Sequence, residues 1–408
     1  MKICIHKKLL GTDQHLIVDQ QENTFTWSNR SETDLWTIGD KSCLLSISAL
    51  SEAMRKKISL SPGGKWDRQF FEIYDVDTMD QVPINVPWSK ILPPDVFKGY
   101  VKSVIQKAQE VFEDENAKTY SETLKNTRNS LLNLKRASID VSLWSANKNG
   151  SDNGQKSTVE SFRPDADGFA QPIVYKKGDA TGRLSIESGP KILHLKKEYR
   201  NMIKSRWEGG RILQADYVSL EPRILLSLVG KTPDDDVYTH VMNTALKDVD
   251  ITRKEAKIIV MGVLYGIGDT KLQSMLGSTI NASVVMSKVK EHFNVSALEY
   301  KLKKEYDECG FVRNHYGRIL NPSRSDGPGL ISYHVQSTGV DLALQGFNKL
   351  IKHIQKYSIK VAPIMIIHDA ILLDVHPEVD EYTLNEIIQQ GTQIEGFDNN
   401  FPMEVKDA

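Results

Sequence analysis

Val361-Ala362-Pro363-Ile364-Met365-Ile366-Ile367-His368-Asp369-Ala370-Ile371-Leu372-Leu373-Asp374-Val375 reads as two apolar runs meeting at a polar pair. Short apolar runs flanking so brief a break predict buried strands in a hairpin, with Asp369 at its tip. Arg211-Ile212-Leu213-Gln214-Ala215-Asp216-Tyr217 predicts another buried strand, ending in Asp216 and followed by an apolar helix over Ile224–Val229. A carboxylate at the end of a buried strand is rigidly held yet meets solvent, which suits a divalent-metal ligand. Taken singly, a strand-end Asp is more often a turn residue, so the neighbours decide.

Outward from these strands, the chain after about residue 170 alternates buried strands with helices. Helices are expected at Val237–Leu246, Arg253–Leu264, Ala282–Phe293, Ser296–Glu308 and Leu330–His353. Upstream, residues 1–95 carry short β-type runs (Lys2–Ile5, His15–Val18, Phe70–Tyr74) broken by Gly, Asn and Pro, which predict a small sheet-containing domain. Val96 to about Ala137 is charged and free of Pro, with Val101, Val104, Ile105, Ala108, Val111 and Phe112 on one helical face; two helices are expected. Asn147–Gly168 is rich in Asn, Gly, Ser and Asp and predicts a mobile loop or linker.

The 408 residues exceed a single core of ordinary size, so two or three domains are expected. With 40% hydrophobic residues the chain has the apolar mass for a packed interior, which excludes a compositionally disordered protein. No apolar run reaches the roughly 18 residues of a membrane span, and the N-terminus lacks a signal-peptide pattern, so a cytoplasmic protein with no membrane partner is expected. Cys4, Cys43 and Cys309 lie far apart and support neither a disulfide framework nor a structural zinc site. Net charge is −1, so no whole-protein field points to a polyanion. Locally, Lys191–Arg211 carries seven basic and two acidic residues, a stretch suited either to phosphates or to a solvated face.

Arg253, Lys257, Met261 and Tyr265 recur every fourth residue, so one helix face would carry guanidinium, ammonium, thioether and phenol in turn. Two cations at one end suit a triphosphate, and the softer pair at the other suits a sugar and base. An amphipathic helix with snorkelling cations fits the same spacing.

These segments together resemble the family A DNA polymerases, relatives of bacterial DNA polymerase I. Gln214–Arg223 resembles their motif A, Arg253–Gly266 their motif B and Ile367-His368-Asp369 their motif C. Thr181–Ser185, Gly310–Arg318 and Val335–Asp341 resemble lesser blocks of the family, in the same order. The likeness spans about 180–375 and is absent from residues 1–95.

The resemblance implies an α+β, right-hand polymerase with palm, fingers and thumb. Its parts would be a small N-terminal domain (1–95), a helical thumb and linker (96–168), palm (169–229), fingers (230–320) and palm again (321–408). It implies two Mg²⁺ ions, with Mn²⁺ as substitute, held by Asp216, Asp369 and the Tyr217 carbonyl, for extension of a DNA primer on a template with dNTPs. Lys257 and Arg253 would grip the triphosphate, and Met261 and Tyr265 would face the incoming sugar and base. Arg183, Gln336, His368 and Arg318 would contact DNA, and Glu221 would close the space a ribose 2′-OH needs.

The sequence also departs from the family. Met261 stands where an aromatic is usual, Ala370 replaces the Glu after the motif C Asp, Tyr238 replaces a phosphate-contacting His, and Pro328 and Ser332 replace polar readers of primer-template. Phage-type single-subunit RNA polymerases share the basic helix and a Met, but carry a small residue where Glu221 stands; a primer-synthesising enzyme or an inactive DNA-binding scaffold are further alternatives. About 95 residues before the expected thumb are too few for the family's usual exonuclease domain, so no intrinsic proofreading is expected. A compact polymerase of this kind points to a phage or mobile element, with replication accessory proteins as partners of the N-terminal region.

Overall fold

The structure, a computed structural model, describes residues 2–5, 14–19, 24–29, 36–38, 94–95, 98–99, 102, 123, 126–127 and 129–408, save 178–179, 232–235, 278–279 and 321. Two compact units are present: Met1–Leu124 with Gly317–Ile319, and Lys125–Tyr316 with Leu320–Ala408.

In the first unit, β1 (Lys2–Ile5), β2 (His15–Asp19), β3 (Thr24–Ser28) and β4 (Trp36–Ile38) form a sheet of order β3-β2-β1-β4. β1 runs antiparallel to β2 and parallel to β4. The strand expected at Phe70–Tyr74 and most of the helix pair expected over Val96–Ala137 lie outside the described residues.

From residue 125 onward the described elements are β5 (Ser138–Ile139), α1 (Val141–Gly150), α2 (Asn153–Glu160), β6 (Val174–Lys177), β7 (Leu184–Ser188), β8 (Ile203–Lys204) and β9 (Arg211–Tyr217). There follow α3 (Leu220–Leu228), α4 (Val237–Asn243), α5 (Arg253–Leu264), α6 (Asp269–Leu276), α7 (Ala282–His292), α8 (Val295–Cys309), β10 (Val312–Arg313) and β11 (Ile319–Leu320). The series ends with α9 (Gly327–Lys356), β12 (Val361–Ile367), β13 (Ala370–Val375), α10 (Glu381–Gln390) and β14 (Met403–Asp407).

The linker expected at Asn147–Gly168 is corrected over its first part: residues 161–168 run through turns, but residues 147–160 hold the end of α1 and all of α2. Its Asn, Asp and Ser residues are helix-terminus signals rather than loop signals, and the Asp140 and Asp152 carboxylates accept from the backbone N–H of Leu143 and Gln155. The pair is locked by Trp144 Nε1 donating to the Val159 carbonyl at 3.0 Å, over a buried Phe162. The helix expected from Ile224 starts earlier, at Leu220, with Pro222 tolerated in its first turn.

The hairpin and the motif A strand join in one antiparallel sheet, order β12-β13-β9-β14. Both faces are covered, which is why β13 reads as a continuous apolar run rather than an alternating one. Leu213, Ala215, Tyr217, Ile371, Leu373 and Val375 pack into the large core built on α3, α5 and the 30-residue α9. Leu372, Ile364 and Met365 pack on the other side, with Ile139, Val159 and Phe162. On that second face the deeply buried Asp374 pairs with the Arg206 guanidinium (Nε at 2.8 Å) and accepts from Ser205 Oγ (2.6 Å) and Arg206 N (3.0 Å). No described helix is long and apolar enough to cross a membrane.

Candidate active site

The sheet register brings the two strand-end acids together. Asp216 pairs with Ala370, the residue after Asp369, and Tyr217 N donates to the Asp369 carbonyl at 3.2 Å. Directly opposed residues of an antiparallel pair project from one face, so Asp216 lies beside a small Ala370 side chain that leaves room around its carboxylate. Burial, and then the negative charge of Asp216, push the Asp369 carboxyl above its ordinary range.

Backbone strain accumulates at the same place. Ser219 (φ 51°), which precedes α3, and His368 (φ 56°), in the hairpin turn, both adopt left-handed backbone without being glycine. Such residues cost of order 1–3 kcal/mol each and persist where surrounding structure over-determines them. Both line a cavity of about 540 Å³ together with Asp216, Asp369 and Glu221.

Helix α5 forms another wall. Thr252 and Glu255 make a reciprocal capping box that fixes its start. Lys257, Met261 and Tyr265 line the cavity, so three of the four residues at four-residue spacing face it. Tyr265 Oη is buried there with no hydrogen-bond partner in the structure. Arg253 is not among the lining residues: its Nε donates to Asp236 Oδ2 at 2.5 Å, holding the Asp236 carboxyl down to about 2 despite the opposing effect of burial. The buried Tyr238 ring lies 5.6 Å from the Arg253 guanidinium and 5.9 Å from the Lys257 ammonium, and burial raises its phenol.

Glu221, on the first turn of α3, is mostly covered and accepts from Arg183 Nη2 at 3.2 Å. Burial raises its carboxyl; the Arg183 guanidinium opposes that shift and the Asp369 charge adds to it. Arg183, Tyr217, Tyr238, Gln336 from α9 and His368 also line the cavity.

A family model, DNA polymerase family A, matches residues 156–406, more than half of the chain. The chain belongs to DNA polymerase family A. A curated relative, DNA polymerase I of Aquifex aeolicus (strain VF5), is 27% identical over 251 residues, covering 56% of this chain and 43% of that protein, so the match spans under half of the relative's length. The fold matches the polymerase domain of Pol1 from M. smegmatis, solved in complex with DNA primer-template and dNTP. The TM-score is 0.60 at 15% identity, covering 96% of this chain and 91% of that one.

Within this family A chain, every residue quoted from motifs A, B and C as a site residue lines the one cavity except Arg253. Arg318 does not line it and is buried. The basic stretch Lys191–Arg211 is largely spent on structure: Lys196 pairs with Asp152, Arg206 with Asp374, Arg211 with Glu381, and Arg200 donates to Gln214 Oε1. Sequence reading missed Asp236, Ser219, Gln214 and Lys406. Gln214 Nε2 and Lys406 Nζ lie 3.3 and 3.4 Å from Asp216 Oδ2. Gln214 had a signal, two residues before Asp216 on a strand; Lys406 had none, being 190 residues away.

Proposed function

We propose that this chain is a template-directed DNA polymerase that extends a primer 3′-OH with dNTPs. The observation that carries the reading is the junction of Asp216, at the end of β9, with Asp369, in the turn that leads into the adjacent β13, in one cavity with Lys257 and Tyr265. The solved relative's primer-template and dNTP are the partners expected here.

The donor chemistry fits magnesium. Asp216, Asp369 and the Tyr217 carbonyl would be its protein ligands, two carboxylates and a carbonyl at the junction of β9 with the hairpin turn. A short set of hard oxygens suits an ion that keeps waters and substrate phosphates in its shell. When bound, a pair of such ions would supply Lewis-acid activation of the 3′-OH and charge neutralisation of the leaving pyrophosphate.

The chain's own residues do the positioning. Lys257 would hold the triphosphate, and Arg253 would join it by exchanging Asp236 for phosphate oxygens, which accept from a guanidinium in the same charge-assisted way. Tyr265 and Met261 would bear on the incoming base and sugar. Glu221, fixed by Arg183, would occupy the volume next to the sugar C2′, so that a ribose hydroxyl meets a side chain that cannot yield without breaking an ion pair. Discrimination by this Glu favours DNA over RNA synthesis, and the intact acids and Lys257 favour an enzyme over a DNA-binding scaffold.

Primer extension on a DNA template tests the reading. Full-length product with dNTPs and little with rNTPs is expected, and no release of the 3′-terminal nucleotide when dNTPs are withheld. Extension with rNTPs alone would instead support an RNA or primer synthesiser, and duplex binding without extension a scaffold.

A further inference from the structure

Lys406 stands on β14 opposite Gln214, two residues along from the position opposite Asp216, so all three side chains leave the same sheet face. Its Nζ is 3.4 Å from Asp216 Oδ2 and 3.9 Å from Glu404 Oε2, and Glu404 is itself the residue paired with Asp216 across the strands. Gln214 Nε2 donates to the same Asp216 oxygen and is held from behind by Arg200 Nη1 at 3.0 Å. One ammonium thus lies between two carboxylates, one a proposed metal ligand and the other exposed.

We propose that Lys406 is a tethered counter-cation for Asp216. It neutralises the carboxylate while no divalent ion is bound, and turns to Glu404 when one arrives. The inference rests on the reading of Asp216 and Asp369 as the metal-binding pair. An ammonium on a four-carbon stem is a point charge that can move between acceptors at little conformational cost, which a guanidinium in a bidentate grip cannot. A positive charge beside a ligand oxygen opposes a divalent ion through the same Coulomb interaction that favours the bare carboxylate. Lys406 therefore weakens the site's intrinsic grip on its ion, and Glu404 limits that penalty by accepting the displaced ammonium. Lys406 touches no reacting atom and acts as a positioning residue.

The test is Mn²⁺ binding followed by electron paramagnetic resonance. It uses the full chain with a dideoxy-terminated primer-template and no nucleotide, so that no turnover occurs. Lys406→Met is expected to bind Mn²⁺ about two- to fivefold more tightly, the scale of a partly exposed ion pair. Lys406→Arg, whose guanidinium does not swing to Glu404 as readily, should bind Mn²⁺ no more tightly than wild type, and Glu404→Gln should bind more weakly. Unchanged or weaker binding by Lys406→Met overturns the inference, as does an Arg variant that tightens as much as the Met variant. Asp216→Asn separates this from the reading beneath it. If that variant binds Mn²⁺ like wild type, the carboxylate-pair reading fails; if it loses Mn²⁺ while Lys406→Met is unchanged, only the role of Lys406 falls.

Discussion

Replacing Gly346 with alanine would set a methyl carbon 1.8 Å from Tyr217 Oη and 2.7 Å from the Gly391 carbonyl oxygen. Gly346 lies within α9, and the slot it leaves is filled by the Tyr217 phenol, which donates to that carbonyl at 2.6 Å. The backbone oxygen cannot move far, so the phenol must withdraw and the bond is lost. Losing a buried hydrogen bond costs about 0.5–1.5 kcal/mol and overpacking about 1–3 kcal/mol, offset by about 1 kcal/mol of helix propensity gained on replacing Gly. A net destabilisation of about 1–3 kcal/mol is expected in urea unfolding. Since Tyr217 directly follows Asp216, primer extension should fall as well. Tyr217→Phe in the Gly346→Ala background removes the offending oxygen, so the double variant should recover part of the loss, a clear non-additivity. Additive losses, or a single variant within 0.5 kcal/mol of wild type, would refute the idea that this slot fixes the end of β9.

Other substitutions probe the site's chemistry. Asp369→Asn should abolish extension while leaving primer-template binding intact in a gel-shift assay. Because the folded state disfavours the charged Asp369 at neutral pH, the same variant should melt at a higher temperature than wild type, and an unstabilised variant would contradict the assigned electrostatics. Glu221→Ala should raise ribonucleotide incorporation by orders of magnitude; an unchanged rNTP/dNTP ratio rejects its role beside the sugar. His334, buried on α9 with Nδ1 2.7 Å from the Arg313 carbonyl, is held down to about 4 chiefly by burial. Its folded pKa lies below its unfolded one, so the unfolded chain takes up the proton first and stability is lost as pH falls from about 6.5 to about 4. The loss is on the order of 3 kcal/mol, and His334→Gln should flatten that part of the urea-midpoint profile against pH.

Legibility tracked distance along the chain. The paired apolar runs around Asp216 and Asp369 were readable because a doubly covered sheet needs uninterrupted hydrophobic strands, and the α5 face because four-residue spacing is set by the helix itself. Residues 147–160 were misread because Asn, Asp and Ser serve loops and helix caps alike, and which they serve depends on what packs above them, here Trp144 on Val159. Arg253 was expected at the triphosphate, yet its partner Asp236, 17 residues earlier, holds it in this structure.

The sequence by itself determined the family and most of the helices and strands around Asp216 and Asp369, because these depend on local periodicity and on motif order. Only the tertiary structure decided what surrounds the acids: Ala370 and Glu404 on either side of Asp216, Lys406 and Gln214 on its Oδ2, and Gly346 making way for Tyr217. Cross-strand neighbours are chosen by register, and register is a property of the assembled sheet that no window of sequence contains.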